Sequence, residues 1–171
     1  MKKRLIVDMD GVIADIYGQF LKFEFENTKK LRDPSSLIGK LEHEAFEHHD
    51  TYINTVNFFF DAAPIVDSVQ VLEKLNSKYD LYIVSSAMQF PLSLIEKLQW
   101  LQKHFSFIHW KKIVFCGSKE IVQGDIMIDD HFKNLDFFAG KTILFSQPHN
   151  MNSSNGRHIR VNNWKEIEEI L

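Results

Sequence analysis

Short apolar runs alternate along this chain with stretches in which apolar residues recur at helical spacing. The runs cover residues 4–7, 81–84, 112–115, 126–128 and 142–145. Continuous apolar runs of this length are typical of strands buried on both faces of a sheet. Helical spacing is found in residues 65–77 and 92–104, and a closing helix is predicted over residues 163–171. Strands that alternate with helices predict an α/β fold with a doubly wound parallel sheet.

The interval between the first two predicted strands is far longer than a crossover requires. About a dozen residues suffice for a crossover helix, whereas this interval runs from Gly11 to Asp80. Apolar residues at helical spacing in residues 16–30 and 36–49 predict that the extra chain is helical. The sequence therefore predicts two units, an α/β core of residues 1–14 and 63–171 and a small helical cap of residues 15–62 inserted after the first strand.

Composition and charge exclude several classes of protein. Of the 171 residues, 44% are hydrophobic and 25% are charged, which argues against a disordered or fibrous chain. The net charge is -3 and the lysines and arginines are scattered, so there is no footprint for a nucleic-acid polymer. The apolar run that follows Lys2-Lys3-Arg4 stops at Asp8, which is too soon for a signal peptide, and no membrane segment follows. We expect a cytoplasmic protein, and its association into a homodimer stays open.

Polar side chains follow three of the predicted strands. They are Asp8 and Asp10, Ser85 and Ser86, and Asp129 and Asp130. In a parallel α/β sheet, ligands bind outside the carboxyl ends of the strands, so these residues are expected at one edge. Four carboxylates gathered there would repel one another, and a hard divalent cation with oxygen ligands would offset that cost. The pattern predicts a magnesium site with Asp8, Asp10, Asp129 and Asp130 as candidate ligands.

The residue types at this edge also suit phosphate chemistry. Asp8 and Asp10 could divide the work, one attacking phosphorus and the other moving a proton. Ser85 and Ser86 could donate hydrogen bonds to phosphate oxygens at a strand-to-helix turn, and Lys119 could neutralise charge in the transition state. Each residue alone is as well explained by a turn, an N-cap or a solvated charge. Their convergence on one edge favours a site for a small phosphorylated substrate.

The order of acid pair, hydroxyl pair, lysine and acid pair resembles the four motifs of the haloacid dehalogenase superfamily. The motifs are Asp8-Met9-Asp10-Gly11-Val12, Ser85-Ser86, Lys119 and Ile128-Asp129-Asp130. The resemblance implies that Asp8 becomes an aspartyl-phosphate and that Asp10 protonates the leaving oxygen and then activates water. It also implies that Ser85 or Ser86 and Lys119 hold the phosphate. Magnesium would be bound by Asp8, Asp129 and the backbone carbonyl of Asp10, with Asp130 as an outer ligand.

A closer similarity, along nearly the whole chain, is to the 5'(3')-deoxyribonucleotidases. It rests on residues 8–15 (DMDGVIAD), 59–65 (FFDAAPI), 124–130 (GDIMIDD) and 143–145 (ILF), and on His149-Asn150. The resemblance implies a magnesium-dependent phosphomonoester hydrolase that acts on deoxynucleoside monophosphates beneath its helical cap. Phe58, Phe59 and Phe60 could then offer a face to the base or sugar. Packing of the cap on the core is the alternative for these three aromatics.

Two departures from that family leave the substrate open. This chain has Cys116-Gly117-Ser118-Lys119 where relatives often have Thr-Arg-Asp-Lys, and Ile16 where an aromatic residue commonly lines the base pocket. A phosphatase of another small phosphomonoester, such as a sugar phosphate, is the first alternative, because the cap rather than the motifs sets that choice. A phospho-accepting receiver is the second. Its phospho-acceptor aspartate would follow a middle strand, where this chain has Ser85-Ser86.

Overall fold

The computed structural model describes all 171 residues and is built around a six-stranded parallel sheet. The strands are β1 Arg4–Val7, β2 Asp80–Ser85, β3 Ile113–Phe115, β4 Ile126–Asp129, β5 Lys141–Phe145 and β6 Ile159–Val161. Their order across the sheet is β3-β2-β1-β4-β5-β6, and every neighbouring pair is parallel. The order changes direction between β1 and β4, and in open α/β sheets such a switch point opens a ligand crevice. The predicted doubly wound sheet is confirmed.

The sixth strand was not predicted. Of its three residues only Val161 is buried. Ile159 is exposed and Arg160, between them, is half-buried. A strand this short at the edge of the sheet carries no continuous apolar run, so it has no signal of the kind that marks the other five.

Seven α-helices accompany the sheet, and none of them is both long and apolar enough to cross a membrane. They are α1 Ile16–Thr28, α2 Glu42–Ala45, α3 His49–Ile53, α4 Ser68–Lys78, α5 Pro91–His104, α6 Phe132–Leu135 and α7 Trp164–Ile170. Short 3-10 turns lie at Pro34–Leu37, Trp110–Lys112 and Pro148–Asn150. The single helix predicted over residues 36–49 is wrong. Gly39 has a φ of 80°, in the left-handed region, and the chain there forms a 3-10 turn followed by two short helices.

Residues 15–62, called the insertion below, enter and leave the core side by side. Asp15 caps α1 by accepting a hydrogen bond from the Gly18 amide at 2.9 Å. The Asp15 amide donates to the Ala63 carbonyl, and the Ile65 amide donates to the Ile13 carbonyl, each at 2.8 Å. Both ends of the insertion are therefore fixed a few residues beyond β1.

One apolar cluster of 33 buried residues runs from the sheet into the insertion. Inside the insertion the packing is aromatic, with the Phe20 ring centroid 4.8 Å from those of Phe46 and Phe58. The buried indole of Trp100 joins the insertion to the core, since it donates to the Ala62 carbonyl at 2.7 Å, and within the core the indole of Trp164 donates to the Val12 carbonyl at 2.8 Å. The insertion thus rests on a continuous core rather than on a flexible tether.

Candidate active site

The residues predicted to carry chemistry meet at the carboxyl edge of the sheet. Asp8 directly follows β1, Ser85 ends β2, and Asp129 ends β4 with Asp130 next to it. The β1 end is held against β4, because the Asp8 amide donates to the Ile128 carbonyl at 2.9 Å. Gly11 allows the next turn to approach this edge: a Cβ atom on Gly11, whose φ is 73°, would lie 2.3 Å from Asp130 Oδ2.

Lys119 is the only cation inside the acidic cluster. Its ammonium donates to Asp8 Oδ1 at 2.5 Å and to Asp129 Oδ2 at 2.6 Å, and the side chains of all three residues are at most 8% exposed. Burial disfavours its charge, but Asp129 and Asp8 outweigh burial and raise the pKa of Lys119, so it stays protonated. Asp129 also accepts from the Asn134 amide and the His131 backbone, both at 2.9 Å. Although burial opposes its ionisation, Lys119 and these donors lower the pKa of Asp129.

The other two carboxylates of the cluster are not compensated in this way. Burial raises the pKa of Asp8 to about 7, Asp129 and Asp10 add to the rise, and Lys119 only partly reverses it. Burial and the charges of Asp8 and Asp129 raise the pKa of Asp130 well above its ordinary value. Asp130 Oδ1 is buried and has no hydrogen-bond partner. The site therefore holds more negative charge than its one lysine can balance.

This imbalance fits a divalent cation. Carboxylate oxygens of Asp8, Asp129 and Asp130 lie within 4.8 Å of one another. Magnesium prefers hard oxygen ligands of this kind. Asp130 Oδ1, which accepts no hydrogen bond, is free to bind such an ion. The carboxylate predicted as a fourth ligand, that of Asp10, is not part of the cluster.

Asp10 instead pairs with a lysine that the sequence did not single out. Lys97 Nζ, on α5, donates to Asp10 Oδ2 at 2.5 Å and to Ser85 Oγ at 3.3 Å. A signal for Lys97 existed in the sequence, because it lies three residues after Leu94 and four before Leu101, on the apolar face of the predicted helix. A charged residue on the buried face of a helix needs a partner and marks a position worth testing.

The two serines separate. Ser85 is 1% exposed and its hydroxyl contacts Lys97, whereas Ser86 is exposed and lines the site cavity. Of the two serines predicted to bind phosphate, only Ser86 therefore faces the cavity, because successive residues at the end of a strand point to opposite sides.

The cavity has a volume of about 360 Å³, within the range of roughly 300–1,000 Å³ found for small-ligand sites. The core supplies Asp8, Asp10, Lys119, Ser86 and the Gly117-Ser118 turn, and α1 and α2 of the insertion supply Ile16, Tyr17 and Glu42. Phe90 and Phe137 add aromatic surface. The sequence had not drawn attention to Tyr17, Glu42, Phe90 or Phe137.

A cluster of polar rings joins the insertion to the core at one side of the cavity. The Tyr17 hydroxyl lies 3.2 Å from His149 Nδ1 and donates to the Lys40 carbonyl at the same distance. His131 and His149 stack with centroids 4.3 Å apart and ring planes 13° apart. Burial and His149 lower the pKa of His131 to about 4, so it is neutral at physiological pH. Burial and Glu42 raise the pKa of Tyr17.

This ring cluster is not arranged as a second metal site. Glu42, His131 and His149 offer ligand atoms within 4.8 Å of one another. The lone pair of an imidazole nitrogen, however, lies in the plane of its ring. Because the His131 and His149 rings are stacked almost in parallel, their lone pairs do not point at one common ion. The cluster instead links α2 of the insertion to the residues that follow β4 and β5.

The three consecutive phenylalanines have different surroundings. Phe58 is fully buried and packs against Phe20 and Phe23, so its predicted role in substrate binding is wrong. Phe60 is half-buried beneath the Lys103 ammonium, away from the cavity. Phe59 alone lines a smaller cavity of about 170 Å³ that also touches Asp10, Lys97 and Ser86. Their orientations follow from tertiary packing, which three identical side chains in a row do not reveal.

Comparison with known proteins gives one family and one fold. A family model described as "5' nucleotidase, deoxy (Pyrimidine), cytosolic type C protein" matches residues 2–171. The 5'(3')-deoxyribonucleotidase of Bacillus subtilis (strain 168) is 37% identical over 173 residues, covering 100% of this chain and 99% of that protein. The protein of the same name from Bacillus phage SPbeta gives the same identity and coverage.

Solved structures give the same architecture at low sequence identity. YfnB of Bacillus subtilis, assigned as a HAD-hydrolase and bound to magnesium, has a TM-score of 0.64 at 15% identity and covers 99% of this chain and 98% of its own. A haloacid dehalogenase-like family hydrolase of Xanthomonas campestris has a TM-score of 0.60 at 11% identity, with 99% and 94% covered. At these identities the likeness concerns the fold.

Proposed function

We propose that this chain, which belongs to the 5' nucleotidase, deoxy (pyrimidine), cytosolic type C family, removes the phosphate from deoxynucleoside monophosphates through an aspartyl-phosphate on Asp8. Family and fold make it a phosphomonoester hydrolase that acts on nucleotides. The observation that carries the finer proposal is the position of Asp8, buried at the cavity floor against Lys119 with Asp10 two residues further on. This placement supports a nucleophile with a separate proton carrier beside it.

In the first step Asp8 attacks the phosphorus atom. A bond forms between an Asp8 carboxylate oxygen and phosphorus, and the ester bond between phosphorus and the sugar oxygen breaks. Asp10, protonated at this stage, gives its proton to the leaving oxygen, and the nucleoside departs. Lys119 remains charged beside the developing negative charge, and Ser86 and the Gly117-Ser118 turn face the phosphate from the opposite wall.

In the second step water resolves the intermediate. Asp10 now takes a proton from the water molecule, whose oxygen attacks phosphorus as the bond to Asp8 breaks. Inorganic phosphate leaves, Asp8 is again a carboxylate, and Asp10 is again protonated. The same side chain thus serves as the general acid in the first step and as the general base in the second.

Magnesium is the cofactor that the charge of the site supports. Asp8, Asp129 and Asp130, with the backbone carbonyl of Asp10 that the family resemblance implies, would hold it. When bound, the ion supplies charge compensation and polarises the phosphate oxygens. The unpaired Asp130 Oδ1 and the raised pKa of Asp8 support this assignment, because the first is an acceptor without a donor and the second is an acid for which Lys119 does not offset burial.

The insertion would act as the cap that selects the organic half of the substrate. Its contributions to the cavity come from α1 and α2, and they include an apolar side chain, Ile16, and the polar groups of Tyr17 and Glu42. Both ends of the insertion are held next to β1, so a small change there would move these groups relative to Asp8. Caps placed in this way commonly exclude water and gate turnover.

A substrate panel tests the proposal. Release of phosphate is measured with deoxynucleotides, ribonucleotides, sugar phosphates and p-nitrophenyl phosphate, each with magnesium or with EDTA, and the Asp8→Asn protein controls for contaminating phosphatases. We expect kcat/KM to be highest for a deoxynucleotide, by at least about tenfold over sugar phosphates, and activity to need magnesium. Faster hydrolysis of a sugar phosphate would contradict the substrate assignment, and undiminished hydrolysis in EDTA would contradict the cofactor.

A further inference from the structure

Lys97 is a buried charge that the two steps above leave without a role. Its side chain is 2% exposed, whereas that of its partner Asp10 is 33% exposed. The ammonium donates to Asp10 Oδ2 at 2.5 Å and to Ser85 Oγ at 3.3 Å, and it lies 4.6 Å from the centre of the Phe59 ring. The ammonium group thus contacts a carboxylate, a hydroxyl and the face of an aromatic ring.

The helix that carries Lys97 is fixed on both sides of it. Glu96 accepts hydrogen bonds from the backbone amides of Asn57 at 2.6 Å and Phe59 at 3.0 Å. One turn further on, the Trp100 indole donates to the Ala62 carbonyl at 2.7 Å. These contacts hold α5 to the segment through which the insertion returns to the core. The Lys97 ammonium therefore cannot shift far without disturbing buried hydrogen bonds.

Stability alone does not explain a lysine at this position. Taking an ammonium out of water costs several kcal/mol. An apolar side chain of similar volume at a buried position often leaves the protein equally stable or more stable. Because Lys97 is far more buried than Asp10, most of that desolvation falls on the lysine. The position of the ammonium against one oxygen of a proposed proton carrier is the feature that calls for an explanation.

The two oxygens of Asp10 differ because of this contact. Oδ2 is taken by Lys97, while Oδ1 is buried and has no hydrogen-bond partner. A carboxylate held by one oxygen cannot rotate freely to present either atom. The contact therefore sets the rotation of a carboxylate that has to face the substrate and then water.

We propose that Lys97 is a positioning residue that fixes the rotation of the Asp10 carboxylate, so that this group faces the leaving oxygen in the first step and the attacking water in the second. This inference rests on the proposed function, in which Asp10 is the acid and base. Lys97 acts through Asp10 and contributes little to the binding of the nucleotide. It also connects the acid-base group to the insertion, because the Phe59 ring covers the same ammonium.

A double-mutant cycle with two substrates tests this role. Lys97→Met is made in the wild-type and Asp10→Asn backgrounds, and kcat and KM are measured for a deoxynucleotide and for p-nitrophenyl phosphate. Lys103→Met serves as the matched control, because Lys103 is on the same helix over the ring of Phe60. We expect Lys97→Met to lower kcat for the deoxynucleotide by about 10- to 100-fold and to leave KM nearly unchanged.

Two further results are expected from the same cycle. The loss on p-nitrophenyl phosphate should be smaller, because its leaving group needs little protonation. In the Asp10→Asn background Lys97→Met should cause no further loss, since the group that it positions is gone. Equal losses on both substrates, or losses that multiply in the double variant, would overturn the proposal.

Additional measurements distinguish a failure of the Lys97 proposal from a folding defect and from a failure of the acid-base assignment of Asp10. If circular dichroism shows that Lys97→Met does not fold, the cycle is repeated with Lys97→Gln, and the same outcomes decide. If Asp10→Asn hydrolyses the deoxynucleotide as fast as wild type, the acid-base assignment fails. If Asp10→Asn is slow but Lys97→Met is as active as the Lys103→Met control, only the role of Lys97 fails.

Discussion

The sheet edge and the insertion face each other across one cavity, yet they are held together by different forces. At the edge, Asp8, Lys119 and Asp129 are joined by contacts of 2.5 and 2.6 Å between buried charges. In the insertion, aromatic rings such as Phe20 and Phe46 pack with centroids 4.8 Å apart. Buried charges fix reacting groups but leave an electrostatic demand that a ligand must meet. Aromatic packing fixes a shape and makes no such demand.

The difference suggests a division of labour. The edge would perform the same phosphoryl chemistry on any ester that reaches it, and the insertion would decide which ester does so. Changes at the edge should then alter turnover of every substrate, whereas changes in the insertion should alter either its stability or its preference among substrates.

Loss of the Asp8 carboxylate should have the largest effect. Asp8→Asn should lower turnover of every substrate by at least about 1,000-fold, because an amide is a poor nucleophile. The rate of phosphate release is compared with that of Asp61→Asn, which changes an exposed aspartate of the insertion. Turnover close to that of the control on any substrate would show that the edge does not act as a single chemical unit.

Removal of the Phe58 ring should damage stability rather than selectivity. Phe58→Ala empties a fully buried position between Phe20 and Phe23 and should lower the free energy of unfolding by about 3–5 kcal/mol. Urea denaturation measures the loss, and Phe60→Ala, at a half-buried neighbour, should cost much less. A stable Phe58→Ala protein with a raised KM for nucleotides alone would instead restore Phe58 to the substrate site.

The polar groups that the insertion places in the cavity should affect binding of the organic half. Glu42→Gln and Tyr17→Phe should each raise KM for deoxynucleotides about 3- to 10-fold and leave p-nitrophenyl phosphate unaffected, because the small ester lacks the base and sugar. Glu47→Gln, at an exposed position between α2 and α3, is the matched control. An equal rise for both substrates would mean that these groups act on the phosphate and that the two regions do not divide the work.

The excess charge at the edge should appear as a pH-dependent response to magnesium. The pKa of Asp8 rises from 3.8 to about 7 in the folded protein. An acid with a raised folded pKa binds protons more tightly when folded, so its contribution to stability falls as pH rises through that window. Magnesium binds the ionised form, so its stabilising effect should grow over the same window.

The measurement is the difference in melting temperature between magnesium and EDTA. We expect the difference to be small at about pH 5 and to reach a few degrees at about pH 8. Taking the difference at each pH cancels the titration of His131, whose pKa is lowered to about 4. A difference that is the same at both pH values would contradict a site built from Asp8 and Asp130.

The two regions also differed in how far the sequence revealed them. Asp8, Asp10 and Asp129 could be assigned to one edge because strand ends are local features and parallel strands bring them together. Lys97 was missed because its one signal, a charge on the apolar face of a predicted helix, belongs to no motif. In the insertion, the break at Gly39 and the inward turn of Phe58 depend on tertiary packing. The homodimer and the cytoplasmic location stay predictions.

The central claim, that the phosphoryl group passes through Asp8, is tested most directly by identifying the residue that carries it. Asp10→Asn is mixed with p-nitrophenyl phosphate, whose leaving group needs little protonation, and with magnesium; the reaction is quenched in acid, and the acyl phosphate is reduced with borohydride before peptide mapping by mass spectrometry. The loss of the base should let the intermediate accumulate. We expect the reduced side chain at position 8 and at no other aspartate, and none when substrate is omitted. Turnover without any modification at Asp8, or a modification at Asp129 or Asp130 instead, would contradict the account.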